Sequence, residues 1–189
     1  GDVLQSAQIN DSLIYLVINN SGKIFIINSR TFRHVATIPG LSSPRYIEII
    51  NESKAYVSQL HSPYIRIIDL KKNEISGEIF IGRSTERLLR YREMIFVTSW
   101  SFSSKLYLIN AENDILLDSL EVVKQPNSLV MDKNEKLWVL SDGGFPGTPY
   151  GQEKAALTRI DANSFQVEKI FRFESENTSP THLYANSGR

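Results

Sequence analysis

The chain of 189 residues contains no cysteine. It therefore cannot form a disulfide framework, a thiolate zinc site or a cysteine nucleophile. It also lacks an excess of either charge, because 21 Lys and Arg face 21 Asp and Glu, for a formal net charge of +0 at pH 7. Without a basic field, general binding of nucleic acid or of anionic lipid is disfavoured.

Long apolar runs are missing as well. The longest, residues 13–18, has six residues, and others such as residues 24–27 have four, whereas a membrane-spanning helix needs about 20. The chain does not begin with a basic region followed by an apolar one, so any export signal has been removed or was never present. We expect no direct insertion of this segment into a membrane. Its 41% of hydrophobic residues is ordinary for a globular protein.

The chain contains an internal repeat of about 41 residues. An aromatic residue recurs inside short apolar runs, at spacings of 41, 40 and 42 residues: Tyr15, Tyr56, Phe96 and Trp138. A second anchor ends the next run of each unit, at spacings of 41, 41 and 51 residues: Asn28, Asp69, Asn110 and Asp161. A fixed period of this length is typical of repeat architectures.

Each unit holds about four short runs of β-branched, aromatic or Leu residues between polar clusters, without helical periodicity. The pattern predicts an all-β chain, and four strands every 40 to 45 residues predict a β-propeller of four-stranded antiparallel blades. A β-sandwich gives short strands but no reason for anchors at one period. The predicted blades are approximately 1–40, 41–82, 83–124 and 125–174, and 175–189 holds the first strand of a fifth.

About four blades leave the ring incomplete. Terminal blades would each expose an apolar sheet face, which repeat proteins normally cover. We therefore expect a segment of a larger ring. Two alternatives are a closed four-bladed ring and a dimer that completes one ring through the exposed terminal blades.

The repeat resembles a known family. Residues 55–58 (AYVS) and 95–98 (IFVT) resemble YVTN-type propeller repeats, and residues 19–24, 43–47 and 136–144 are similar to YncE-like surface-layer propellers of Bacteroidetes. The resemblance covers essentially the whole chain and implies a seven-bladed ring. That family includes surface lipoproteins that work beside TonB-dependent transporters, among them BtuG-type proteins that capture cobalamin. The resemblance thus implies a location at the cell surface, on the outer membrane or in the periplasm, although the lipidated cysteine of the family is absent here.

Polar residues occupy the start of each unit, where the loops of a propeller gather around the central channel. They are Gln5, Arg45, Glu86 and Asn127, with Thr181 opening the next unit. Either they simply solvate a wet channel, or they form a ring of hydrogen-bonding groups that selects a ligand. Two roles are open to Arg45: bidentate binding of a ligand carboxylate or phosphate, or neutralisation by Glu86.

A second candidate set lies between the second and third strands of the units. From Trp138 to Asp161 the chain runs 23 residues, against 13, 13 and 14 in the other units, so the fourth unit carries an insertion. This insertion is either a binding element or a passive surface loop. The candidate ligand-binding residues of this set are Asn19, Asn20, His61, Trp100, Phe102, Asp142, Phe145 and Tyr150.

Signals for catalysis are few. The three histidines, His34, His61 and His182, lie in different units, and no nucleophile elbow or P-loop occurs. We expect no enzyme, no metal and no cofactor, since a propeller lyase or lactonase needs clustered His or carboxylates and only Glu86 and Asp142 are placed for that. The predicted function is a surface binding propeller that captures a small molecule, such as a corrinoid, or docks to an outer-membrane transporter. The alternative is a protein-interaction scaffold of the cell surface.

Overall fold

The computed structural model describes residues 2–185. Their strands form four separate four-stranded sheets. The described residues contain no helix, and so none that is long and apolar enough to cross a membrane.

Each sheet is one blade, and its four strands follow each other in sequence order. Blade 1 consists of β1 (Leu4–Asn10), β2 (Leu13–Ile18), β3 (Lys23–Asn28) and β4 (His34–Ile38). Blade 2 consists of β5 (Pro44–Ile49), β6 (Lys54–Gln59), β7 (Tyr64–Asp69) and β8 (Glu74–Phe80). Blade 3 consists of β9 (Leu88–Tyr91), β10 (Met94–Ser99), β11 (Lys105–Asn110) and β12 (Ile115–Glu121). Blade 4 consists of β13 (Pro126–Met131), β14 (Lys136–Ser141), β15 (Ala156–Asp161) and β16 (Gln166–Arg172).

The first strands of the blades lie side by side along the axis. Strand β1 contacts β5, β5 contacts β9, and β9 contacts β13. All pairs within a blade are antiparallel, which leaves the fourth strands at the outer edge. The predicted all-β propeller of four-stranded antiparallel blades is confirmed.

The recurring aromatic residues join one blade to the next. Each is the third residue of the second strand of its blade. Tyr15, Tyr56 and Phe96 are at most 2% exposed, and each belongs to an apolar cluster shared with the following blade. Complete burial of such a side chain contributes about 1.5 to 3 kcal/mol. Trp138 is only half-buried, because no described blade covers that face of blade 4.

The second anchor shapes the turn that follows the third strand. The side-chain oxygen of Asn28 accepts hydrogen bonds from the backbone N–H groups of residues 30 and 31, at 3.0 and 2.9 Å. Asp69 and Asp161 accept bonds from the same two positions of their own turns. Short side chains with an acceptor oxygen are favoured in such turns, which accounts for the recurrence of Asn and Asp.

A bulge recurs near the outer edge of every blade. The register between the third and fourth strands shifts at residues 26/27, 67/68, 108/109 and 159/160. One extra residue on a strand bends it and increases its twist. The four outer strands therefore share one local distortion.

The four blades do not close on each other. Within residues 2–185, apolar clusters join blade 1 to blade 2, blade 2 to blade 3 and blade 3 to blade 4, and none joins blade 4 to blade 1. The described chain is thus an open propeller, in contrast to the alternative of a closed four-bladed ring.

Residues 173–185 contain no strand, but the segment returns to the axis beside β13. Pro180 accepts a hydrogen bond from Asn127 Nδ2 at 2.8 Å, and the Leu183 N–H donates to Ser128 Oγ at 3.0 Å. Ser6 Oγ in β1 likewise donates to the carbonyl of Arg45 in β5, at 2.8 Å. The first strand of a fifth blade, expected within 175–189, stays a prediction, and 186–189 lie outside the described residues.

Candidate functional site

A cavity of about 190 Å³ opens where the first strands of the blades meet. We call it the axial cavity. All five polar positions that the repeat aligns contribute to it, together with four further residues. Its lining residues are Gln5, Arg45, Tyr46, Glu86, Trp100, Asn127, Asp142, Thr181 and His182.

Bulges at the start of three inner strands direct four of these side chains to the axis. The pairing of β1 with β2 skips Gln5, and the pairing of β13 with β14 skips Asn127. The pairing of β5 with β6 skips both Arg45 and Tyr46. Since a bulge breaks the alternation of side chains along a strand, it re-aims the residues that it leaves unpaired. The polar ring is thus a product of the local backbone.

Arg45 makes three hydrogen bonds within the ring. Its Nε and Nη2 donate to the two carboxylate oxygens of Glu86 at 2.7 and 2.9 Å, and its Nη1 donates to Gln5 Oε1 at 2.8 Å. A bidentate pair of this kind uses the planar fork that would otherwise bind a carboxylate or phosphate. Of its two predicted roles, the structure gives Arg45 neutralisation by Glu86.

The Arg45–Glu86 pair also ties blade 2 to blade 3. The side chains are 17% and 6% exposed, respectively. Burial raises the pKa of the Glu86 carboxyl, and the Arg45 guanidinium opposes that rise. Ser58 Oγ on β6 adds a hydrogen bond to the Glu86 carbonyl. The pair therefore holds the framework of the cavity.

Asp142 is the second buried carboxylate of the axial cavity. Trp100 Nε1 donates to its Oδ2 at 2.7 Å, and the Gly144 N–H donates to its Oδ1 at 2.9 Å. Asn127 Nδ2 lies 3.4 Å from Oδ2. Within residues 2–185 no Lys, Arg or His forms an ion pair with Asp142. Its charge is therefore held by neutral donors alone.

Asn127 presents an acceptor that has no partner. Its Nδ2 faces two acceptors, the Pro180 carbonyl and Asp142 Oδ2, which fixes the orientation of the amide. Its Oδ1 is then buried without a hydrogen-bond partner. Leaving a buried acceptor unsatisfied costs about 1 to 3 kcal/mol. Such a group has the same requirement as Asp142, namely a hydrogen-bond donor.

The insertion of blade 4 is held against the body of the protein. We call residues 143–154 the rim loop. A Cβ atom at Gly143, where φ is +86°, would lie 2.1 Å from the carbonyl oxygen of Glu153, so this turn requires glycine. The Lys124 N–H donates to Glu153 Oε1 at 2.9 Å, and its Nζ donates to the Tyr150 carbonyl at 2.7 Å. These bonds fix the rim loop next to the axial cavity.

Four aromatic side chains extend from the cavity over the rim loop. Trp100 and Phe145 are in edge contact, with ring centroids 6.4 Å apart, and Phe102 and Tyr150 are in edge contact at 6.3 Å. Phe102 and Phe145 are nevertheless 50% and 39% exposed. We call these four residues the aromatic rim. Of the four, Trp100 lines the axial cavity as well.

Three predicted residues lie elsewhere. Asn19, Asn20 and His61 line a separate cavity of about 340 Å³ between blades 1 and 2. Asn19 Oδ1 accepts a hydrogen bond there from Ser43 Oγ at 2.9 Å. The structure does not bring these three residues into the axial cavity.

Sequence reasoning missed three contributors. Tyr46 lines the cavity and carries the Arg87 guanidinium 4.4 Å from its ring centroid. His182 lines the cavity too, although from the sequence this histidine was considered only as a metal ligand. Lys124 fixes the rim loop. The available signal for Tyr46 and His182 was their position directly after Arg45 and Thr181.

The fold and this site define an open β-propeller with a polar axial cavity and an aromatic rim, an architecture in which a rigid scaffold presents loops for binding or assembly. The chain belongs to the family described as Domain of unknown function (DUF5074), whose model matches residues 1–187. No curated protein matches it.

Several solved structures have similar folds. The match with Kuenenia stuttgartiensis hydrazine synthase covers 86% of this chain and 46% of the matched chain, with a TM-score of 0.76 and 13% identity. The Neurospora crassa Pan2 WD40 domain matches 95% of this chain and 54% of its own, with a TM-score of 0.71 and 13% identity. A chain of the mitotic checkpoint complex matches 95% of this chain and 56% of its own, with a TM-score of 0.76 and 10% identity. The chain thus spans about half the length of these structures, and the likeness concerns the fold.

Proposed function

We propose that this propeller binds a small molecule at its loop-bearing face, without catalysing a reaction. The observation that carries the proposal is the aromatic rim, which exposes Phe102 and Phe145 beside the axial cavity. Large apolar side chains that stay exposed on a fixed loop are typical of binding surfaces. Glu86 is tied to Arg45 and Asp142 to neutral donors, so neither carboxylate is assigned a catalytic role.

A corrinoid is the specific ligand that the family resemblance suggests. Cavities that enclose drug-sized molecules measure about 300 to 1,000 Å³, whereas the axial cavity measures about 190 Å³. A flat macrocycle would therefore lie across the aromatic rim and insert only a side group into the cavity. The resemblance to YncE-like surface-layer propellers also supports a location at the cell surface, next to an outer-membrane transporter.

Gel filtration of the purified protein with cobalamin tests this proposal. We expect the absorbance of the corrinoid to elute with the protein. The variants Trp100→Ala and Phe102→Ala should release it, because they remove the surface on which the macrocycle rests. Phe32→Ala is the matched control, since Phe32 is 72% exposed in a turn of blade 1 and away from the rim.

Two results would contradict the corrinoid proposal. One is the absence of retention by a preparation that contains the complete ring. The other is equal release by the rim variants and by Phe32→Ala, which would indicate adsorption rather than a site.

A protein-interaction scaffold is the second candidate, favoured by the same exposed pair, Phe102 and Phe145. In this case a purified transporter or neighbouring surface protein should co-elute with the propeller, and no small molecule should be retained. Phe102→Ala should weaken that complex and Phe32→Ala should not. Arg45 is unsuitable for the test, because its substitution would disturb the pair with Glu86.

A further inference from the structure

We propose that the axial cavity is selective for a positively charged group of the ligand, an organic ammonium, which it places against Asp142 and Trp100. The inference rests on the proposed binding of a small molecule at this face and specifies the chemistry that the same site recognises. Because cobalamin carries amide groups and a phosphate but no ammonium group, the inference favours a ligand other than a corrinoid. It concerns the head group that enters the cavity, whatever part of the ligand remains on the rim.

The first argument is the balance of charge within the cavity. Arg45 and Glu86 cancel each other through their bidentate pair. Among the lining residues of the described chain, Asp142 is then the one carboxylate without an ion-pair partner. Two groups that can carry a positive charge lie nearby: His182 lines the cavity, and Arg87 lies against the ring of Tyr46, where its charge acts on Glu86. Burying a charge is costly unless it is paired, so a cationic ligand group would supply the missing partner.

The second argument is the supply of acceptors. Asn127 Oδ1 is buried and unpartnered, and its amide lies within 3.4 Å of Asp142. Asn127 Oδ1 has almost no accessible surface, so the acceptor that a ligand can reach is the Asp142 carboxylate, which accepts three hydrogen bonds and has room for a fourth. That acceptor favours a ligand that brings N–H groups or positive charge. An anion is disfavoured, because the Nε–Nη2 edge of Arg45 is already bound to the Glu86 carboxylate and because Asp142 would repel a negative charge.

The third argument is the wall of the cavity. Trp100 lines it and is bonded to Asp142 through its indole N–H, so an aromatic ring and a carboxylate lie side by side. Indole rings attract cations most strongly among aromatic side chains, by about 0.5 to 2 kcal/mol. A volume of about 190 Å³ is suited to a compact head group.

Isothermal titration with a matched pair of probes tests the proposal. Choline carries a trimethylammonium group, and its neutral isostere carries a tert-butyl group of the same shape. We expect choline to bind at least about tenfold more tightly than the isostere. The variant Asp142→Asn should abolish that preference. Asp118→Asn, which makes the same change on an exposed position of β12, should retain it.

The comparison of choline with its isostere uses the unaltered protein and changes only the charge of the ligand. The test therefore does not depend on whether Asp142→Asn folds. Equal affinity for choline and its isostere, failure of both to bind, or an unchanged preference in a folded Asp142→Asn variant would each overturn the proposal. Retention of cobalamin without any preference for choline would remove this inference and leave the proposed function standing. Failure of cobalamin and of both probes would remove the two together.

Discussion

The variant Glu86→Gln leaves Arg45 buried without its counter-charge. In the folded protein the Arg45 side chain is 17% exposed, and its remaining hydrogen bond goes to Gln5 Oε1. Breaking a buried ion pair by removing one partner costs about 3 to 5 kcal/mol. Glutamine can still accept one hydrogen bond, so we expect a loss of about 3 kcal/mol in the free energy of unfolding. A domain with about 5 to 15 kcal/mol of stability should remain folded.

Urea denaturation of a double-mutant cycle measures this coupling. Arg45→Met should also cost about 3 kcal/mol at pH 8, since it leaves the Glu86 carboxylate unpaired. The loss should become smaller as the pH is lowered, because burial raises the pKa of Glu86 and a protonated carboxyl needs no counter-charge. The double variant should lose much less than the sum of the single losses. Additive losses in the cycle would refute the argument that the two residues act as one structural unit.

Three further predictions concern other parts of the molecule. Burial raises the pKa of Glu48 from 4.5 to about 7, although the charges of Arg87 and Arg90 oppose the rise. Because the folded state holds this proton more tightly than the unfolded state, the free energy of unfolding should fall by up to about 3 kcal/mol as the pH rises from 4.5 to about 7. Urea titrations of Glu48→Gln should show no such dependence on pH. Phe96→Ala should cost about 3 to 5 kcal/mol, whereas Trp138→Ala should cost about 1 kcal/mol, and equal losses would show that the face of blade 4 is covered in solution. Gly143→Ala should cost about 1 to 3 kcal/mol and weaken binding at the rim, because the new Cβ meets the Glu153 carbonyl.

Much of the fold follows from the sequence because the blade repeats one physical solution. Tyr15, Tyr56 and Phe96 recur because each fills the same space under the next blade, and Asn28 and Asp69 recur because each closes the same turn. A structural requirement that recurs in every blade therefore produces a recurring residue in the sequence. Trp138 recurs at the same position of its blade but is only half-buried, because its burial would require a following blade that the described residues do not contain.

The site was predicted less completely, for local reasons. The repeat aligned Gln5 with Arg45 and Glu86, but spacing alone does not decide which side chains pair across blades. Tyr46 was missed because a strand normally sends neighbouring residues to opposite faces, and the bulge at the start of β5 suspends that rule. Trp100 and Asp142 lie 42 residues apart and each directly follows the second strand of its blade, but the period does not show that these two side chains contact each other.

The distorted outer strands have a consequence for the protein in a crowded environment. A straight β-strand at the margin of a sheet offers its free N–H and C=O groups to any extended peptide, and so can seed aggregates. Every blade of this chain carries its register shift beside that margin. Four open margins can then coexist in one molecule with little tendency to recruit strands from neighbouring chains.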